Sequence, residues 1–68
     1  MNEPHYEEFE PLPGRWIRAG HKTHAYVLHE IRRRPDGNFD VREIWRREPH
    51  VVHRGVSSSY VYAEFVLP

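Results

Sequence analysis

The sequence predicts an all-β fold: a small antiparallel meander of four to five strands built around one long hairpin spanning about residues 23–48. Three observations carry this expectation. Arg34-Pro35-Asp36-Gly37-Asn38 is a turn signal, in which Pro presets φ and Gly takes the positive φ of a bulge residue. The flanking segments are rich in β-branched and aromatic residues that alternate with period two. Folding them about a three-residue Pro35-Asp36-Gly37 loop brings opposite charges together and sets apolar residues against apolar ones.

That register pairs Arg34 with Asn38, Arg32 with Asp40, Ile31 with Val41, Glu30 with Arg42 and His29 with Glu43. Toward the open end it continues with Leu28 opposite Ile44, Val27 opposite Trp45 and His24 opposite Glu48. A two-residue Asp36-Gly37 loop would set Glu30 against Glu43 and Ile31 against Arg42, so the three-residue loop is preferred. One face then carries Ala25, Val27, Ile31, Phe39, Val41 and Trp45 around the His29–Glu43 pair. The other carries Tyr26, Leu28 and Ile44 near the open end and charges toward the tip. The open half therefore needs cover on both faces and the tip half on one, since a lone hairpin is marginal in water.

The remaining elements follow in chain order. Residues 1–14 form an acidic, Pro-rich, extended N-terminal arm, because Pro4, Pro11 and Pro13 oppose a helix. Its Tyr6, Phe9 and Leu12 are expected to cover an apolar face of the hairpin. Residues 15–68 form a single β domain. Arg15 to Ala19 reads as a first strand ended by Gly20, and His21-Lys22-Thr23 leads into the hairpin. Pro49 stops the hairpin's second strand, having no N–H to donate to a ladder. His50 to Arg54 reads as a short strand, Gly55 to Ser59 as a polar loop, and Tyr60 to Leu67 as a final strand covered on both faces. No helix is expected. Such strands joined by short turns make a curled sheet or an SH3-like barrel; the resemblance is to an architecture, which carries no function.

A chain of 68 residues makes one domain with a modest core. There is no Cys, so no disulfide staples it. No apolar run approaches a membrane span, and Met1-Asn2-Glu3-Pro4 does not open a signal peptide, so a cytoplasmic protein without a membrane partner is expected. The formal net charge is zero. Its distribution is uneven: residues 1–13 hold four Glu and no base, while residues 14–68 hold ten bases and six acids. The arm should therefore attract the body or compete for the body's partner.

Two groups of residues invite a functional reading. His21, His24, His50 and His53 are drawn to the open end of the hairpin by its register, which suggests a His-clustered metal site or a pH-responsive domain. Residues three apart on a straight strand point to opposite faces, which counts against the metal and leaves no cofactor expected. A charged His29 beside Glu43 would make a cross-strand ion pair present at low pH and lost as pH rises. Arg32, Arg33 and Arg34 at the tip, with Trp16 and Trp45, suggest an arm for nucleic acid. Most charges along that arm are matched across the strands, which weakens this alternative. Ser57-Ser58-Ser59 lacks the strained elbow of a nucleophile, and neither a phosphate-binding loop nor paired buried acids can be placed, so the chain is not read as an enzyme.

The reading that remains is a small non-enzymatic β module binding a partner protein through an edge strand, exposed aromatics and the arm. Arg32, Arg33, Arg34, Trp16, Trp45, Tyr6 and Phe9 are its expected contacts, and a homodimer would cover a sheet face that one copy cannot. A short, Arg-rich, Cys-free chain of this type fits an accessory protein of a phage or mobile element acting on a host factor.

Overall fold

The computed structural model describes residues 13–67. Five antiparallel strands form one sheet: β1 (Ile17–His21), β2 (Leu28–Arg33), β3 (Phe39–Trp45), β4 (Glu48–Val56) and β5 (Phe65–Val66). Their order across the sheet is β4-β3-β2-β1-β5. The sheet is thus open, with β4 and β5 at its two edges, rather than closed into a barrel. Among the described residues there is one helix, α1 (Ser58–Glu64), which carries the chain from the β4 edge to the opposite edge.

The central hairpin has the expected register. Leu28 pairs with Ile44, His29 with Glu43, Glu30 with Arg42, Ile31 with Val41, and Arg32 with Asp40. Its loop is closed by Arg34 N–H donating to Asn38 O (2.7 Å) and Gly37 N–H donating to Arg34 O (3.0 Å). Gly37 sits at φ 91°, a conformation that costs other residues about 1 kcal/mol or more.

The ladder ends sooner than the sequence suggests. Val27 donates to His24 O (3.0 Å) in a turn, so the expected Val27–Trp45 and His24–Glu48 pairs do not form. Glu48 instead faces Trp45 across a two-residue turn, Arg46-Arg47, and β4 runs back along β3. Both arginines have positive φ, 52° and 70°, which two-residue hairpin turns of this hand require. Pro49 therefore does not stop the strand but lies inside β4, opposite Ile44. It is tolerated because β4 is an edge: the pair flanking a two-residue turn is hydrogen-bonded, so the next residue's nitrogen points away from β3.

Two other segments differ from expectation. The first strand begins at Ile17 and includes Gly20, which pairs with Val66. The expected strand from Tyr60 is α1 followed by the two residues of β5. Ser57, expected in a loop, caps the helix by accepting from Tyr60 N–H at 3.2 Å. Val61 and Phe65, four apart, reach the core together, and a helix covers a sheet face that one more strand would leave bare.

The core lies between the sheet and α1. Ala19, Ile31, Phe39, Val41, Val61 and Phe65 are buried in it. The opposite face has no covering layer among the described residues, and Leu28 there is 46% exposed. The expected apolar cover from Tyr6, Phe9 and Leu12 lies outside the described residues.

Candidate functional site

The helix covers only part of the face it packs on. Beside it lies a cleft of about 270 Å³ between β1, β3, β4 and the β1–β2 loop. Val41, His29 and Phe65 contribute buried surface to it, while Trp45, Tyr26 and His53 line it from exposed positions. Among the described residues its lining includes one carboxylate, Glu43, and no Lys or Arg.

Three imidazoles pack together at one side of the cleft. The ring of His21 lies 4.7 Å from that of His24 and 5.2 Å from that of His29. Nδ1 of His21 accepts from the backbone N–H of Thr23 (3.1 Å) and of His24 (3.2 Å). Its ring proton therefore sits on Nε2, 3.3 Å from Glu64 Oε1. Burial, followed by the neighbouring His24 and His29, pushes His21 below its ordinary value of 6.5, against the opposing pull of Glu64 and Glu43. A His lowered in the fold favours folding above that value, and its contribution is lost as pH falls through 6.5 toward the folded value.

His29 is held differently. Its Nδ1 lies 3.1 Å from Val27 O and so carries a proton that it donates there. Its Nε2 lies 3.4 Å from Glu43 Oε2, which realises the expected cross-strand pair. The other oxygen of Glu43 accepts from Trp45 Nε1–H at 2.8 Å, fixing the indole at the edge of the cleft. Across the cleft, His53 Nε2 and Tyr60 Oη are 3.3 Å apart and their rings 5.4 Å apart.

Of the four histidines expected to gather, His21 and His24 touch, His53 lines the cleft, and His50 lies opposite Glu43 on exposed β4 without lining it. The hairpin register does not gather all four, because His21 pairs with Phe65 of β5 on the far side of the sheet from β4. Among the described residues, no three His, Asp or Glu side chains are placed to hold a metal ion.

The tip arginines are largely taken up within the fold. Asp40 is fully buried and accepts from Arg32 Nε–H (2.8 Å), Arg34 Nη1–H (3.1 Å) and the Gly55 N–H (2.9 Å). Burial would raise its carboxyl, but these hydrogen bonds and the Arg34 charge outweigh it and hold the group below the ordinary 3.8. The Arg33 guanidinium lies 4.9 Å from the Phe39 ring. Trp16, half-buried on the sheet's open face, receives Arg32 and Arg42 at 4.5 and 4.2 Å. Trp45 does line the cleft, while Tyr6 and Phe9 lie outside the described residues.

Sequence reasoning placed a strand at His50 to Arg54 but missed its start at Glu48 and its pairing with β3, and with them the cleft and Tyr60 as part of its wall. Gly55, at φ 67°, was a legible sign of a bulge, but nothing local announces a turn built from two arginines. Among the described residues no helix is long and apolar enough to cross a membrane. No protein-family model, curated protein or solved structure matches the chain.

Proposed function

We propose that this chain is a small protein-binding β module that takes an extended segment of a partner alongside β4. The observation that carries the reading is the edge itself. β4 is nine residues long, lies outermost in the sheet, and is exposed from Glu48 to Arg54. By the alternation set at the Arg46-Arg47 turn, Pro49 and Val51 direct their backbone groups away from β3. Pro49 has no N–H to offer, so Val51 presents the outward donor–acceptor pair.

Edges of this length are usually blunted. Here Pro49 and the register shifts near Val41 blunt the two ends and leave the middle open. An added strand would hydrogen-bond to Val51 through its main chain, and alternate side chains would meet Val52, His53 and the cleft beyond them. The nucleic-acid alternative loses support because Arg32 and Arg34 are bound to Asp40 and Arg42 to Glu30.

Panning a displayed random-peptide library against the protein supplies ligands for the test. Val51→Pro removes the outward N–H without touching the ladder to β3, so the fold should persist with a melting temperature near that of the parent. Selected peptides should bind this variant at least about tenfold more weakly, the loss of a main-chain hydrogen bond and of close strand approach. Equal binding by a folded Val51→Pro variant would reject the edge as the interface.

A further inference from the structure

We propose that the cleft beside β4 recognises a guanidinium or ammonium side chain of the bound partner. This deepens the reading above and rests on it only for how the side chain is delivered. Charge is the first observation: among the described residues the lining holds the Glu43 carboxylate and no Lys or Arg. Histidine tautomers are the second. With its Nδ1 proton committed to Val27 O, a neutral His29 turns the lone pair of Nε2 toward Glu43 Oε2, 3.4 Å away. In that neutral form two acceptors face each other with no hydrogen between them. A cation rich in N–H groups satisfies both.

Aromatic surface is the third observation. Trp45 is 52% exposed and Tyr26 84% exposed, and both line the cleft with Tyr60. The negative faces of such rings attract a cation that has left water. Trp45 is also held in orientation by its hydrogen bond to Glu43, so carboxylate and indole are presented as one unit. Arginine suits this set well, because its planar fork can donate to two acceptors while stacking on a ring.

Binding of this kind competes with protons. A proton on His29 Nε2 occupies the place of the ligand's donor and turns the acceptor pair into an internal ion pair. The groups facing the site are His21 from β1, His24 and Tyr26 from the loop, Glu43 from β3, His53 from β4, and Tyr60 from α1, with Glu64 reaching it through His21. Each imidazole that gains a proton adds positive charge, so acidification should expel the cation.

The probe is N-acetyl-arginine amide, titrated into the whole chain while the indole N–H signals are followed by NMR. Trp16, on the opposite face, serves as the internal reference. The Trp45 signal should shift with a dissociation constant on the order of 1 mM near pH 8. Affinity should fall on acidification, as imidazoles at the site gain positive charge. N-acetyl-norleucine amide, which is apolar and carries neither charge nor N–H donors on its side chain, should leave the signal in place. Glu43→Gln should weaken arginine binding at least about tenfold, and Trp45→Leu, followed through the ring signals of His53, should weaken it too. A norleucine derivative that binds as well, or a folded Glu43→Gln variant that binds arginine unchanged, would overturn the proposal. The free amino-acid derivative adds no strand. Its failure, with library peptides still dependent on Val51, would sink the cation site alone, whereas its success with edge-independent peptides would sink the edge reading alone.

Discussion

The two hairpins that share β3 are closed by opposite means. In the β2–β3 hairpin, six consecutive residue pairs run in unbroken register into a Pro35-Asp36-Gly37 loop suited to its conformation. Asp36 Oδ1 even accepts from the Asn38 N–H at 2.9 Å. In the β3–β4 hairpin the loop is Arg46-Arg47, both residues in the left-handed region, and the ladder shifts register twice. Local chemistry specifies the first hairpin. The second is held by side-chain ties: Asp40, itself bound to Arg32 and Arg34, fastens Gly55, and His53 meets Tyr60 of α1. In the proposed reading the difference divides labour: the self-sufficient hairpin is scaffold, and the one fastened by side chains keeps an edge open for a partner.

Asp40 is where the two are joined, so its removal should give the largest effect. In Asp40→Asn an amide replaces a fully buried carboxylate that faces two guanidinium groups and a backbone N–H. Breaking one side of a buried charge network costs roughly 3–5 kcal/mol, and the low end applies because Arg32 and Arg34 remain partly exposed. A loss of about 3 kcal/mol in urea unfolding is expected, shared by both hairpins in one transition. An unchanged midpoint would mean that the hairpins stand independently. Acid tests the same joint. Asp40 is lowered in the fold, so its contribution is complete above 3.8 and is lost as pH falls through the folded value. The weakening due to His21 begins earlier, as pH drops below 6.5, which separates the two contributions.

The second prediction breaks the contrast by giving the β3–β4 hairpin a turn of its own. Arg46→Asn with Arg47→Gly supplies residues that accept positive φ readily. Each relieved position is worth up to about 1 kcal/mol, so a gain of roughly 1–2 kcal/mol is expected, visible as a rise of about 4 °C or more in Tm. No gain would show that contacts of the two arginines offset the strain. Gly37→Ala runs the same logic backwards. At φ 91° an added Cβ is strained even in open space, and a loss of about 1 kcal/mol is expected by the same thermal melt.

The contrast also explains what was legible in the sequence. The β2–β3 register was readable because the turn residues and the cross-strand pairs gave the same answer. The Arg46-Arg47 turn was not, because its conformation is imposed by the strands it joins rather than favoured by its residues. Tyr60 to Leu67 misled for a related reason. Its apolar, aromatic composition fits a strand, yet Ser57 capping and the need to bury Val61 and Phe65 over the sheet make a short helix. Tertiary need outweighed local preference in both places. The cleft was hidden with them, since Tyr60 reaches His53 only once that helix exists. The His29–Glu43 pair was visible in advance because it lies in the self-specifying hairpin.

The smallest predicted effect sharpens what specifies that hairpin. Glu30 accepts from Arg42 Nε–H at 2.7 Å, and both side chains are about one-fifth to one-quarter exposed. If matched charges set the register, Glu30→Gln should be costly. If the turn and the apolar pairs set it, the substitution should matter little, because Gln still accepts one hydrogen bond and Arg42 still stacks on Trp16 at 4.2 Å. Partly exposed pairs contribute on the order of 0.5 kcal/mol, and salt screens them further. Chemical unfolding should therefore show a loss of about 0.5 kcal/mol at low salt that shrinks in 1 M salt, about 3 Å of screening length. A loss above roughly 1.5 kcal/mol, beyond the usual range for such pairs, would mean that charge holds the scaffold hairpin. The two hairpins would then differ in their turns alone, not in how their strands are matched.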